Sequence, residues 1–188
     1  MEMNFEIKKT EIEDVVIITP FYREDERGYF LKDFEKDVFR ELGLENELYE
    51  NFQSYSKKGV IRGLHFQTKN PQIKIVSTIV GVVHDVVVDL RLGSPTYGRH
   101  IDVILSDNNH KRLWVPKGFA HGFEVLSDYA IMSYKCIGKY DLGSDSGIDL
   151  FDKDININWD TVNPIVSERD QSLMSFEEFS NKFKGLTF

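Results

Sequence analysis

The chain has 188 residues, 41% hydrophobic and 29% charged, an ordinary balance for a globular protein long enough to bury a core without disulfides or metals. Its formal charge of -8 excludes a general nucleic-acid or membrane-surface binder, because both need a basic face; an anionic ligand would have to meet a local cationic pocket. Cys136 is the only cysteine, so no intrachain disulfide forms, and without a basic-apolar leader or a run of transmembrane length the expectation is one domain spanning 1–188 in the cytoplasm.

Short β-branched or aromatic runs predict strands at 15–19, 29–34, 60–66, 73–80, 82–90, 100–105, 113–115, 122–126 and 129–137. Turn signals separate most of them, at 25–28, 93–95, 106–109, 116–118 and 127–128. This spacing leaves no room for helices between most strands, so an all-β sandwich or barrel is expected and a doubly wound parallel sheet is not. A helix is predicted over 35–42, with Val38, Phe39 and Leu42 on one side and Gly43 placed to end it in a left-handed turn. A second follows Ser175, where Glu178 completes a capping-box pattern and Phe176, Phe179 and Phe183 recur at helical spacing as a docking stripe. Cys136 lies in an apolar run and is read as a buried, inert thiol.

The chemistry begins at His65, which closes the run Gly-Val-Ile-Arg-Gly-Leu-His-Phe-Gln over 59–67 and is followed by Lys74, Tyr134 and Asp170. A lone histidine in an apolar run is commonly a satisfied core or surface residue. Joined by the other three it can form one proton-transfer site, given a carbon acid as substrate and a second acid to complete the turnover.

Several separated motifs, in order, carry a resemblance. They are Asp-Glu-Arg-Gly at 25–28, Gly-Leu-His-Phe-Gln at 63–67, Asp-Val-Val-Val-Asp-Leu-Arg at 85–91, Gly-Ser-Pro-Thr-Tyr-Gly at 93–98, Leu-Trp-Val-Pro-Lys-Gly-Phe-Ala-His-Gly-Phe at 113–123, Tyr-Lys-Cys at 134–136 and Ser-Glu-Arg-Asp at 167–170. Over nearly its whole length the chain resembles the dTDP-4-dehydrorhamnose 3,5-epimerase family. The resemblance implies a cupin-type jelly roll with short peripheral helices, a homodimer with exchanged N-terminal segments, and epimerisation of a nucleotide-linked 4-keto-6-deoxy sugar in polysaccharide or deoxysugar biosynthesis.

A 4-ketone acidifies the C–H bonds at C3 and C5, since the carbanion spreads onto oxygen as an enolate, and no redox cofactor is then needed. The site needs a base, a cation near the enolate oxygen and an acid on the opposite face of the ring. By resemblance His65 is the base, oriented by Asp170, Lys74 stabilises the enolate, and Tyr134 is the proton donor. Arg27, Arg62 and His121 match positions that contact the nucleotide sugar, Arg169 replaces a family lysine, Tyr140 matches the aromatic that stacks on the base, and Asp145 matches an acidic contact. Cupins commonly bind a metal through a His-x-His pair, a carboxylate and a later histidine. Here Gln67 stands where the second histidine would be and no carboxylate follows through Lys74, so metal-free chemistry is expected.

Three substrate-contact positions depart from the family pattern: Lys32 stands in place of a glutamate, and Glu50 and Phe52 in place of the glutamine and asparagine of a Gln-x-Asn motif. These changes alter what a nucleotide sugar can hydrogen-bond to, which leaves both a dTDP-linked sugar and a GDP-linked 4-keto heptose open as substrates. Two alternatives also stand beside the epimerase: a nucleotide-sugar 3,4-ketoisomerase, and a non-catalytic nucleotide-sugar-binding cupin.

Overall fold

The computed structural model describes residues 5–45 and 47–188. Its strands are β1 (Glu6–Lys9), β2 (Val16–Thr19), β3 (Phe21–Asp25), β4 (Gly28–Lys32), β5 (Leu48–Lys57), β6 (Ile61–Gln67), β7 (Ile73–Val80), β8 (Val82–Asp89), β9 (His100–Ser106), β10 (Arg112–Val115), β11 (Phe119–Val125), β12 (Tyr129–Ile137) and β13 (Asp145–Gly147). Helix α1 (Lys36–Glu41) follows β4, a 3-10 turn covers Asp170–Ser172, and α2 (Phe176–Phe183) follows it. A six-stranded sheet runs β1-β2-β10-β7-β12-β5, a five-stranded sheet runs β13-β6-β11-β8-β9, and β3 and β4 form a separate hairpin. This is the all-β jelly-roll arrangement that the resemblance implies.

Side chains alternate along a strand, and each sheet uses that alternation to bury two faces. Val76, Leu113, Met132 and Tyr134 of the six-stranded sheet meet Val83, Val87, Leu105, Phe119 and Phe123 of the other in a central core. The outer face of the five-stranded sheet, through Ile61, Phe66, Val86 and Val88, is covered by the C-terminal segment, including Phe176, Phe179 and Phe183 of α2. The expected docking stripe is therefore in place. Its capping box is also formed: the Ser175 hydroxyl accepts from the Glu178 N–H, and the Glu178 carboxylate accepts from the Ser175 N–H. The outer face of the six-stranded sheet packs Ile73, Ile75 and Trp114 against Phe39 of α1, and Gly43 after α1 has φ +74°.

Four strands depart from the sequence reading. β1, β3, β5 and β13 have no counterpart among the predicted runs, and β11 begins at Phe119, three residues before its predicted start. Residues 33–34, expected to extend β4, leave it instead. There Asp33 accepts hydrogen bonds from Arg112 and Lys135, which fastens the root of the hairpin to the outer wall. Burial raises the Asp33 pKa, but the two cations outweigh it and hold the carboxyl below its usual range. No described helix is long and apolar enough to cross a membrane.

Candidate active site

Register aligns the candidate residues in rows on the inner faces. Glu50, Cys136, Lys74 and Val115 pair successively across β5, β12, β7 and β10, and Phe52, Tyr134, Val76 and Leu113 form the adjacent row. On the facing sheet, His65 of β6 pairs with His121 of β11. Between the sheets lies a cavity of about 330 Å3 whose wall includes His65, His121, Lys74, Glu50, Phe52 and Phe119, with Tyr140, Asp145 and Arg169 also lining it.

Gly63 permits the β6–β11 approach. It has φ +130°, and a Cβ there would lie 2.6 Å from Gly122 Cα and 2.8 Å from the His121 carbonyl oxygen. The backbones therefore come close enough to set the two histidines side by side.

His65 Nε2 lies 2.8 Å from Asp170 Oδ1. An ionised carboxylate only accepts, so Nε2 carries the proton and, in the neutral ring, Nδ1 keeps a lone pair. Asp170 is 4% exposed and comes from the 3-10 turn, where its N–H donates to the Ser167 hydroxyl and its second oxygen accepts from the Gly63 N–H at 3.4 Å. Burial raises the Asp170 pKa, but the hydrogen bond from His65 and the imidazole charge bring it below its usual range. His121 repeats the arrangement, with Nε2 at 2.9 Å from both oxygens of the fully buried Asp85. Burial pushes the Asp85 carboxyl up despite the nearby imidazole. Asp85 was not singled out from the sequence, although a carboxylate inside an apolar strand was a readable signal, since such a group needs a partner.

Lys74 is half-buried. Burial lowers its pKa, against the opposing influence of Cys136, Asp145, Glu50 and Asp85. Glu50 is held by Gln72, whose amide donates to Oε1 at 2.6 Å and to the Gly138 carbonyl at 2.9 Å. Gln67, expected in place of a cupin histidine, uses its side chain to join Asn70 and Asp141. Among the described residues, no group of three or more His, Cys, Asp or Glu side chains is arranged to hold a metal ion.

Tyr134 is near this group but not on the cavity wall. Its ring is buried and stacks on Phe52, with centroids 4.7 Å apart, and burial pushes its phenol pKa up. Tyr140, Asp145 and Arg169 cluster separately, the Tyr140 hydroxyl donating to Asp145 at 2.9 Å and Arg169 at 2.6 Å. Arg62 lies off the wall, its Nε donating to the Ser56 hydroxyl. Arg27 and Lys32 are on the β3–β4 hairpin, paired with Asp25 and Glu35, and do not line the cavity of their own chain.

The family model for dTDP-4-dehydrorhamnose 3,5-epimerase matches residues 9–178. A Methanothermobacter thermautotrophicus protein of that name is 45% identical over 177 residues, covering 93% of this chain and 96% of its own. The Legionella pneumophila dTDP-6-deoxy-D-glucose-3,5-epimerase, solved with dTDP-4-keto-L-rhamnose, superposes with a TM-score of 0.94 at 38% identity, covering 98% of this chain and 99% of its own. A Streptomyces bikiniensis 3'-monoepimerase, solved with dTDP as a variant in which one histidine and one tyrosine are replaced, gives a TM-score of 0.90 at 26% identity, covering 96% of this chain and 92% of its own.

Proposed function

The chain belongs to the dTDP-4-dehydrorhamnose 3,5-epimerase family and is an isomerase, and from that premise we propose that it inverts C3 and C5 of a dTDP-linked 4-keto-6-deoxy sugar through an enolate. The observation that carries this reading is the His65–Asp170 pair, which faces the Lys74 row across one cavity. His65 Nδ1 takes the proton beside the ketone, and the imidazolium formed is stabilised by Asp170. The Lys74 ammonium meets the charge developing on the enolate oxygen. Tyr134 returns a proton from the other face, so the carbon inverts. The histidine–tyrosine replacement in the Streptomyces monoepimerase supports this pairing, because the two residues stand there at nearly the same spacing along the sequence as His65 and Tyr134.

The nucleotide would meet Arg169, Asp145 and Tyr140 at one side of the cavity, with His121 on its wall as a further contact. Arg27 and Lys32 reach a site only if the hairpin crosses to a second copy. The proposed assembly is therefore a homodimer with exchanged hairpins, and the 59% exposed Tyr29 and Phe30 on β4 support it.

Proton NMR in heavy water tests the reaction. A dTDP-linked 4-keto-6-deoxy sugar is expected to gain deuterium at C3 and C5 with the ketone still at C4, and His65→Asn to slow this by roughly 10²–10⁴-fold. Movement of the carbonyl to C3 would establish the ketoisomerase instead. Faster turnover of a GDP-linked 4-keto heptose would reassign the substrate to match Glu50, Phe52 and Lys32.

A further inference from the structure

The proposed acid is covered. Tyr134 is 8% exposed and absent from the cavity wall, whereas Phe52, directly opposite it in register, lines the wall and is 46% exposed. The two rings lie almost parallel, at 12°, and the His121 ring meets Tyr134 edge-on at 6.2 Å on another side. Phe52 belongs to β5, the edge strand of its sheet, so a rotamer change carries its ring toward solvent without displacing a neighbouring strand. His121 has no such freedom, being 5% exposed with its Nε2 on Asp85.

We propose that Phe52 sets how the enolate partitions between inversion and return, by covering the Tyr134 phenol until its ring swings aside. The proposal rests on the epimerase reading above. Abstraction breaks the C–H bond, sends the proton to His65 Nδ1 and leaves the electron pair in the enolate. If His65 gives a proton back, the original configuration returns. If the Tyr134 O–H gives one, the carbon inverts; solvent then reprotonates the phenolate and accepts the proton held by His65. Abstraction precedes any action of Tyr134, so a cover over the phenol changes the outcome after the enolate has formed.

The test follows a dTDP-linked 4-keto-6-deoxy sugar in heavy water by proton NMR. Two quantities are read: total loss of the H3 and H5 signals, and growth of the inverted diastereomers. His65, whose side chain is 27% exposed, can trade its proton with solvent, so return also appears as exchange. The ratio of inversion to exchange does not depend on how tightly a variant binds substrate or how fast it forms the enolate. Phe52→Ala is expected to raise this ratio by about threefold or more, with Phe52→Leu, which keeps bulk but cannot stack, in between. An unchanged or lower ratio overturns the proposal, as does a wild-type ratio already at unity. If Phe52→Ala does not fold, the leucine variant decides by the same criterion. Complete absence of exchange in the wild type would sink the epimerase reading itself, and the proposal with it.

Discussion

Lys74 titrates below the ordinary lysine value of 10.5 because it is buried, while the enolate stabilisation proposed for it requires the ammonium form. Turnover is therefore expected to fall as pH rises through the depressed pKa, at lower pH than a free lysine would dictate. Lys74→Met is expected to remove that alkaline limb and to lower kcat roughly 10²-fold or more; a pH profile of both proteins checks it. Asp170 was legible as a partner of His65 through the motif at 167–170, and the fold pairs them; Lys74, outside the motifs, was legible by resemblance alone and lines the same cavity. Asp85 was passed over: two carboxylates, Asp85 and Asp89, interrupt the apolar run over 82–90, and only the fold shows that Asp85 is the one that meets His121 of β11.

At the scale of elements, the same logic separates what was legible from what was not. β7, β8 and β12 bury both faces, so their apolar runs mark them plainly. β5 has neither face in the core: its outward side bears Tyr49, Asn51, Gln53 and Tyr55, and its inward side presents Glu50 and Phe52 to the cavity. A strand between solvent and a polar site carries little apolar alternation to detect, and here it supplies two wall residues. The β6–β11 approach gives a sharper prediction. Gly63→Ala would force a Cβ onto the Gly122 backbone at a φ that alanine resists, and a loss of about 2–4 kcal/mol is expected. Urea denaturation measures it, and the two histidines would lose their register together.

Across the whole molecule, His84 joins three strands to the C-terminal segment. Its Nδ1 and Nε2 each lie 2.8 Å from a carboxylate, Glu124 of β11 and Asp102 of β9, and Glu124 also accepts from the N–H groups of Asp160 and Thr161. Burial opposes the imidazolium, but the two acids prevail and raise its pKa to about 9. Because the folded value exceeds the unfolded one, the stabilisation is complete below about pH 6.5 and fades as pH climbs through 9. His84→Gln is expected to cost about 1–3 kcal/mol at pH 7, a figure reduced because Asp102 is half exposed, and distinctly less at pH 10. Denaturation at both pH values tests this. The proposed exchange of hairpins in a dimer has its own test. Arg27→Ala and His65→Asn subunits, each inactive alone, are expected to recover about a quarter of wild-type activity when unfolded and refolded together, since each hybrid holds one intact site. No recovery would mean that the hairpin serves its own chain.

Cys136, set between Glu50 and Lys74 in the six-stranded sheet, is fully buried, and burial lifts its thiol pKa to about 11. It is the chain's sole sulfhydryl, so an alkylating reagent can label the protein there only during excursions that part the strands around it. The speed of labelling becomes a clock for breathing of the cavity floor. A nucleotide sugar seated over that floor should slow the clock in proportion to its occupancy, which reports binding from the protein's own chemistry.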